Sequence, residues 1–369
     1  MQKRIGKQTV RLQTPVSILA TASTVGQKEG DGPLGAYFDV VEPDSMMGED
    51  SWEKAESRFV AKNMELALKK ANLEAAQMDY VLCGDLLNQC IGTTFGIKDF
   101  GIPFLGLFGA CATVGEAMSV GSMLIDGGFA EHILCGASSH FCSAEKQFRF
   151  PLPLGIQRPQ STTWTVTGDG AMVLAKNKTG PFITEITTGK IIDMGVTDAN
   201  NMGAAMAPAA VDVLLAHFQD TGRTPEDYDI IVSGDLGSVG HQIVIELMQK
   251  EGYDMQNRYT DCGLKIYDPN TQDTHAGGSG CACAAVTFCS YFYPQLKEGK
   301  LKRMLFLPTG ALLSADSVQQ KLPIPAISHA VVIESALPNE RNEKRNEKRN
   351  EKRNDKRNDE RKSGQVNTV

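Results

Sequence analysis

No stretch of this 369-residue sequence is apolar for long enough to cross a bilayer, which takes about 20 consecutive residues. The apolar stretch after the basic N-terminus, Val16 to Ala22, is interrupted by Ser17 and Thr21 and is too short for a secretory signal core. Basic charge is not in excess either. The chain has 37 Lys or Arg against 44 Asp or Glu, a net charge of −7, which argues against nucleic acid as a partner. A disulfide framework is also missing: nine cysteines, an odd number, lie at irregular spacing and mostly inside apolar runs. They read as reduced thiols, and the expected location is the cytoplasm. The Gly277-Gly278-Ser279-Gly280 turn is not followed by Gly-Lys-Ser/Thr, so it is not read as a phosphate cradle. Cys262, His275, Cys281, Cys283 and Cys289 are close in sequence. On a helix beginning at 281, however, Cys281 and Cys283 point about 200° apart and cannot share a tetrahedral ion. No metal and no cofactor are expected, and His217 and His241 read as polar contacts on helices rather than ligands.

What is present is an ordinary globular composition, 41% hydrophobic and 22% charged, long enough for one large core or two domains. Charge is unevenly placed. Residues 337–369 hold 11 Lys or Arg against 7 Asp or Glu, whereas residues 1–336 hold 26 against 37. The tail repeats Glu343-Lys344-Arg345-Asn346 with almost no apolar side chain. Such a segment cannot repay its ordering entropy and is expected to be a disordered, low-complexity extension.

The body reads as two related halves, 1–180 and 181–336. Asp79-Tyr80-Val81-Leu82-Cys83-Gly84-Asp85-Leu86 recurs as Asp229-Ile230-Ile231-Val232-Ser233-Gly234-Asp235-Leu236. Leu124-Ile125-Asp126-Gly127 with Ile133-Leu134 recurs as Leu296-Lys297-Glu298-Gly299 with Leu305-Phe306, in the same order. In each half an amphipathic segment, Glu53 to Asn72 or Ala207 to Phe218, precedes a short apolar strand. Alternating helices and apolar strands imply buried, largely parallel sheets covered by helices. The Gly/Ala/Cys-rich segments Cys111 to Ile125 and Cys281 to Phe292 are apolar nearly all round, so they are expected between sheets. The result is a layered α/β/α/β/α body.

Cys111 is the leading candidate for chemistry. It lies in Leu107-Phe108-Gly109-Ala110-Cys111-Ala112-Thr113-Val114-Gly115-Glu116-Ala117, between a strand-like run and a helix-like one. The unpaired N–H groups and dipole of a helix start stabilise a thiolate or a nearby anion. The small neighbours leave room for another molecule to reach sulfur.

Three stretches together resemble the thiolase superfamily over roughly residues 5–335: Gly109 to Ala117 as its nucleophile segment, Thr167-Gly168-Asp169-Gly170-Ala171-Met172-Val173-Leu174, and His275-Ala276-Gly277-Gly278-Ser279-Gly280. Within the superfamily, the run Phe148-Arg149-Phe150-Pro151-Leu152-Pro153-Leu154-Gly155-Ile156-Gln157-Arg158-Pro159-Gln160 and the segment His275 to Cys283 are similar to the sporulation branch, the SpoVAD-like proteins.

The resemblance implies a five-layer αβαβα thiolase-like fold built from two pseudo-duplicated halves. It also implies Cys111 as the acyl acceptor and His275 as an oxyanion donor. Ser233-Gly234-Asp235-Leu236 and Leu307-Pro308-Thr309-Gly310-Ala311 stand where the remaining catalytic groups belong. A carboxylate at 235 would repel a developing oxyanion, and losing one member of such a unit costs orders of magnitude in rate. The branch further implies dipicolinic acid, with calcium, as ligand. It implies other spore transport-complex proteins as partners, a homodimer, and a peripheral position at the inner spore membrane. Expected ligand contacts are Cys111, His140, Lys146, Arg149, Arg158, His275 and Ser279. The alternatives are a working acyltransferase using Cys111 and a structural adaptor with a vestigial pocket.

Overall fold

A computed structural model of the protein describes residues 2–148, 157–255 and 257–337. The low-complexity repeat at the C-terminus lies outside these residues.

Two runs of five strands carry the architecture. In the first half these are β1 (Thr9–Gly26), β2 (Tyr80–Gly84), β3 (Phe104–Gly106), β4 (His132–Ser139) and β5 (Gly168–Ala175). In the second they are β6 (Phe182–Thr188), β7 (Ile230–Ser233), β8 (Tyr259–Asp261), β9 (Arg303–Leu307) and β10 (Ala326–Glu334). The spatial orders are β3-β2-β4-β5-β1 and β8-β7-β9-β10-β6, which are the same order. Directions match as well. β2 runs parallel to β3 and β4, as β7 does to β8 and β9. The remaining neighbours, β4 with β5, β5 with β1, β9 with β10 and β10 with β6, are antiparallel. The sheets are therefore mixed rather than largely parallel. β5 and β10 are as apolar as their parallel neighbours, and apolar runs alone carry no direction.

The recurring Asp-to-Leu motif has a physical role at its first position. Asp79 Oδ2 accepts the backbone N–H groups of Glu131 (2.7 Å) and His132 (3.0 Å) at the start of β4. Asp229 Oδ2 does the same for Lys302 (2.6 Å) and Arg303 (2.9 Å) at the start of β9. Each carboxylate supplies the acceptor that two strand-end donors lack.

Helices α1 (Trp52–Ala71) and α3 (Met202–Thr221) cover the outer faces of the two sheets. Ser51 and Asn201 cap them by accepting from Lys54 and Ala204, and Asn72 and Gly222 end them in the left-handed region. α4 (Gly237–Lys250) packs on α3. Between the sheets lie α2 (Thr113–Gly127) and α5 (Cys281–Thr287), the latter continuing as a wider turn through Phe288–Phe292. α2 packs on β4 of one half and β10 of the other. Thr21 Oγ1 of β1 donates to the Cys289 carbonyl (2.9 Å), and Phe288 stacks on Phe306 of β9 at 5.1 Å. This is the expected five-layer arrangement.

Candidate functional site

Cys111 sits on a tight elbow between β3 and α2. Ala110 adopts φ +48°, a conformation that costs a side-chain-bearing residue of order 1 kcal/mol or more. The surroundings hold it there: the Ala110 carbonyl accepts from Thr113 Oγ1 (2.7 Å) and from Cys281 Sγ (2.8 Å). Gly310 presses on the same elbow. A Cβ on it would lie 2.1 Å from the Gly109 carbonyl oxygen and 2.9 Å from the Cys111 amide nitrogen, so only glycine fits.

The thiol opens onto a chamber. Cys111, Ala110, Ser279 and Gly280 form its floor. Leu86, Phe108, Phe148, Met202 and Leu313 give it apolar walls; Thr162, Thr163, Thr165, Gln147, Asn200 and Glu145 supply polar groups. Thr165 is set by a short parallel pairing with Ser279, and its N–H and hydroxyl both donate to Glu145 Oε1. Among the described residues no Lys, Arg or His lines this chamber.

Asp235, fully buried, lies behind the floor. Its Oδ2 accepts from Ser279 Oγ (2.9 Å) and from the Gly280 N–H (3.1 Å). Its Oδ1 has no partner of ordinary hydrogen-bond geometry, yet the Cys111 thiol is near enough that each group shifts the other. Burial, and then the Asp235 charge, push the Cys111 thiol well above the usual cysteine range. Burial likewise raises the Asp235 carboxyl to about 7. The helix-start argument predicted a stabilised thiolate. Burial and an acidic neighbour override it, and Cys111 is a protonated thiol at neutral pH.

Of the other expected contacts, Ser279 is in the chamber and four are not. His140 is buried and structural: its Nδ1 accepts from the Cys142 N–H (3.2 Å), so Nε2–H donates to the Ser45 carbonyl (3.0 Å). Lys146 pairs with Glu53 and lies over Trp52. Arg158 Nη2 binds the Asp273 carbonyl (2.6 Å) and carboxylate (2.8 Å), and its guanidinium covers Trp164. His275 directs Nδ1 at the Pro159 carbonyl (2.8 Å) and Nε2 at Asp273 (2.8 Å). His275 does not line the Cys111 chamber, and with Arg158 it converges on Asp273. Arg149 lies outside the described residues. The five clustered Cys and His positions also diverge, with Cys281 Sγ bonded to Ala110 and Cys283 Sγ to the Gly234 carbonyl (3.4 Å). His217 bridges Thr187 and Tyr228, and His241 stacks on Tyr259.

Sequence reasoning missed Phe108, Glu145, Asn200 and the Thr162-to-Thr165 segment. The alternation Thr163-Trp164-Thr165 was the available signal, since it places two hydroxyls on one side and the indole on the other.

Residues 6–334 match the family described as stage V sporulation protein AD (SpoVAD). The chain is 46% identical over 334 residues to the stage V sporulation protein AD of Bacillus subtilis (strain 168), covering 90% of this chain and 98% of that protein. Its fold is shared with 3-oxoacyl-[acyl-carrier-protein] synthase III of Aquifex aeolicus VF5 (TM-score 0.53, 12% identity, covering 86% of this chain and 99% of that one). It is shared also with a variant of Xanthomonas campestris OleA (TM-score 0.55, 15% identity, 88% and 99% covered). The architecture is thus thiolase-like.

Proposed function

This chain belongs to the SpoVAD family of sporulation proteins, and from that premise we propose that it is the component of a spore transport machinery that binds dipicolinic acid, taken up with calcium into the developing spore. The observation that carries the binding reading over a catalytic one is Asp235 against Cys111. A buried carboxyl beside the thiol keeps sulfur protonated, and its charge would repel a developing oxyanion. The chamber suits a small flat ring: Phe108, Phe148 and Met202 offer apolar contact, while the Thr163 hydroxyl and the Gln147 and Asn200 amides offer polar contacts to carboxylates. Arg149 remains the expected cation. His140, Lys146, Arg158 and His275 make the contacts described above and do not line this chamber.

No helix among the described residues is long and apolar enough to cross a membrane, which is compatible with a peripheral place beside other transport-complex proteins. The same reading has the protein acting as a homodimer. β3 is an edge strand with Leu105 43% exposed, and Phe108 follows it at 48%.

Calorimetric titration with dipicolinate, with and without calcium, tests the proposal. Saturable binding that weakens in Ser279→Val supports it, and no binding at millimolar ligand leaves the structural adaptor ahead. The acyltransferase alternative is tested by intact mass after incubation with acetyl-coenzyme A. A turned-over adduct that disappears in Cys111→Ala would replace the binding reading.

A further inference from the structure

The chamber confronts an anionic ligand with a charge problem. Its described wall carries one carboxyl, Glu145, and behind its floor stands Asp235, which also feels the charge of Asp261. Asp261 is well provided for: its carboxylate accepts from Ser233 Oγ (2.6 Å), the Leu236 N–H (2.9 Å) and the Gly237 N–H (3.1 Å). Asp235 is not. Both of its well-formed donors fall on Oδ2, leaving Oδ1 buried with no donor of ordinary geometry, the Cys111 thiol being the polar group nearby. A buried acceptor in that state is costly as an ion and is relieved by gaining a proton.

We propose that an anion entering the Cys111 chamber binds together with one proton from solvent, and that Asp235 Oδ1 is where that proton settles. The inference rests on the ligand reading above. Binding a dianion against an ionised Asp235 places like charges across a dry floor, and protonating Asp235 removes that repulsion. Besides Asp261, the titratable groups facing Asp235 are the thiols of Cys111, Cys262, Cys281 and Cys283. All four are held well above the usual cysteine range by burial, so they stay neutral between pH 6 and 8. Both ligand carboxyls are ionised throughout that range, and Asp261 keeps three donors on its carboxylate; Asp235 is thus assigned as the group that changes charge, and Asp235→Asn separates it from Glu145 in the wall. Asp235 acts here as a specificity-determining residue and not as a catalytic one.

The experiment is dipicolinate calorimetry on the full chain at pH 8 in phosphate and in Tris, whose ionisation enthalpies differ. The heat difference reads the protons taken up per ligand, and a value approaching one is expected. Affinity should fall by up to about tenfold per pH unit above 7. In Asp235→Asn, whose amide oxygen can still accept from Ser279 and Gly280, uptake should vanish and affinity should be flat from pH 6 to 8. Measurable binding without proton uptake in the native chain, or an unchanged pH slope in Asp235→Asn, overturns this inference and leaves the ligand reading standing. Absence of binding at millimolar dipicolinate overturns the ligand reading, and this one with it.

Discussion

Cys281 Sγ donates to the Ala110 carbonyl at 2.8 Å, so the first residue of the second half's buried helix holds the left-handed residue that precedes Cys111. Neither half makes the elbow alone. The floor of the chamber is a joint product of two segments that lie 171 residues apart.

Gly310 is the tightest point of that joint. Gly310→Ala should push the Gly109 carbonyl and Cys111 amide aside and cost about 1–3 kcal/mol. Urea unfolding would read this as a lower midpoint with an unchanged slope. A midpoint equal to the native one would mean that the elbow yields freely, against the 2.1 Å approach.

The thiol itself should be sluggish. Iodoacetamide at pH 8 should label Cys111 more slowly than an ordinary exposed cysteine, because burial and Asp235 keep sulfur protonated. Asp235→Asn removes the charge, and each pKa unit recovered gives about tenfold more thiolate. Peptide mapping of the alkylated site measures both rates. Equal labelling of the two proteins would show that access, and not charge, sets reactivity.

His217 sets part of the acid limb of stability. Burial between Thr187 and Tyr228 holds its pKa down to about 4, whereas the unfolded chain binds that proton near pH 6.5. Its contribution is complete above about 6.5 and is lost as pH falls toward 4, by about 3 kcal/mol. His329, also lowered by burial to about 4, acts in the same direction. Comparing urea unfolding at pH 7.5 and 4.5 should show a smaller loss in His217→Gln than in the native chain. Identical losses would assign the limb to other groups.

Leu105 tests the homodimer. Leu105→Asp puts a charge on the exposed β3 edge while leaving the buried face untouched. Sedimentation velocity should find a dimer in the native chain and a monomer in the variant. A native monomer would remove the homodimer from the functional reading.

Much of the fold was legible because repetition is a long-range signal. The two Asp-to-Leu motifs mark β2 and β7 at equivalent places, and the apolar Gly/Ala/Cys segments marked the helices between sheets. Strand direction was not legible, since β5 and β10 read the same either way. The site was half legible. Cys111, Ser279 and Asp235 are next to small residues or inside repeated motifs, and the fold brings all three together. The surroundings of His275 were not legible, because its orientation is decided by Asp273 and Pro159, two partners that no spacing rule links to it. The same holds for Lys146 and Arg158: a loop cation is drawn to the nearest carboxylate, and sequence does not say which that is.

The seam between the two sheets has a consequence of its own. β1 and β6 are the first strands of their halves, and they pair antiparallel, Thr9 with Thr187 and Val10 with Ile186. Equivalent strands meeting head to tail lie about a local dyad, which is the contact two identical subunits make when they join edge to edge. The seam therefore has, inside a single chain, the geometry of an edge-to-edge dimer interface.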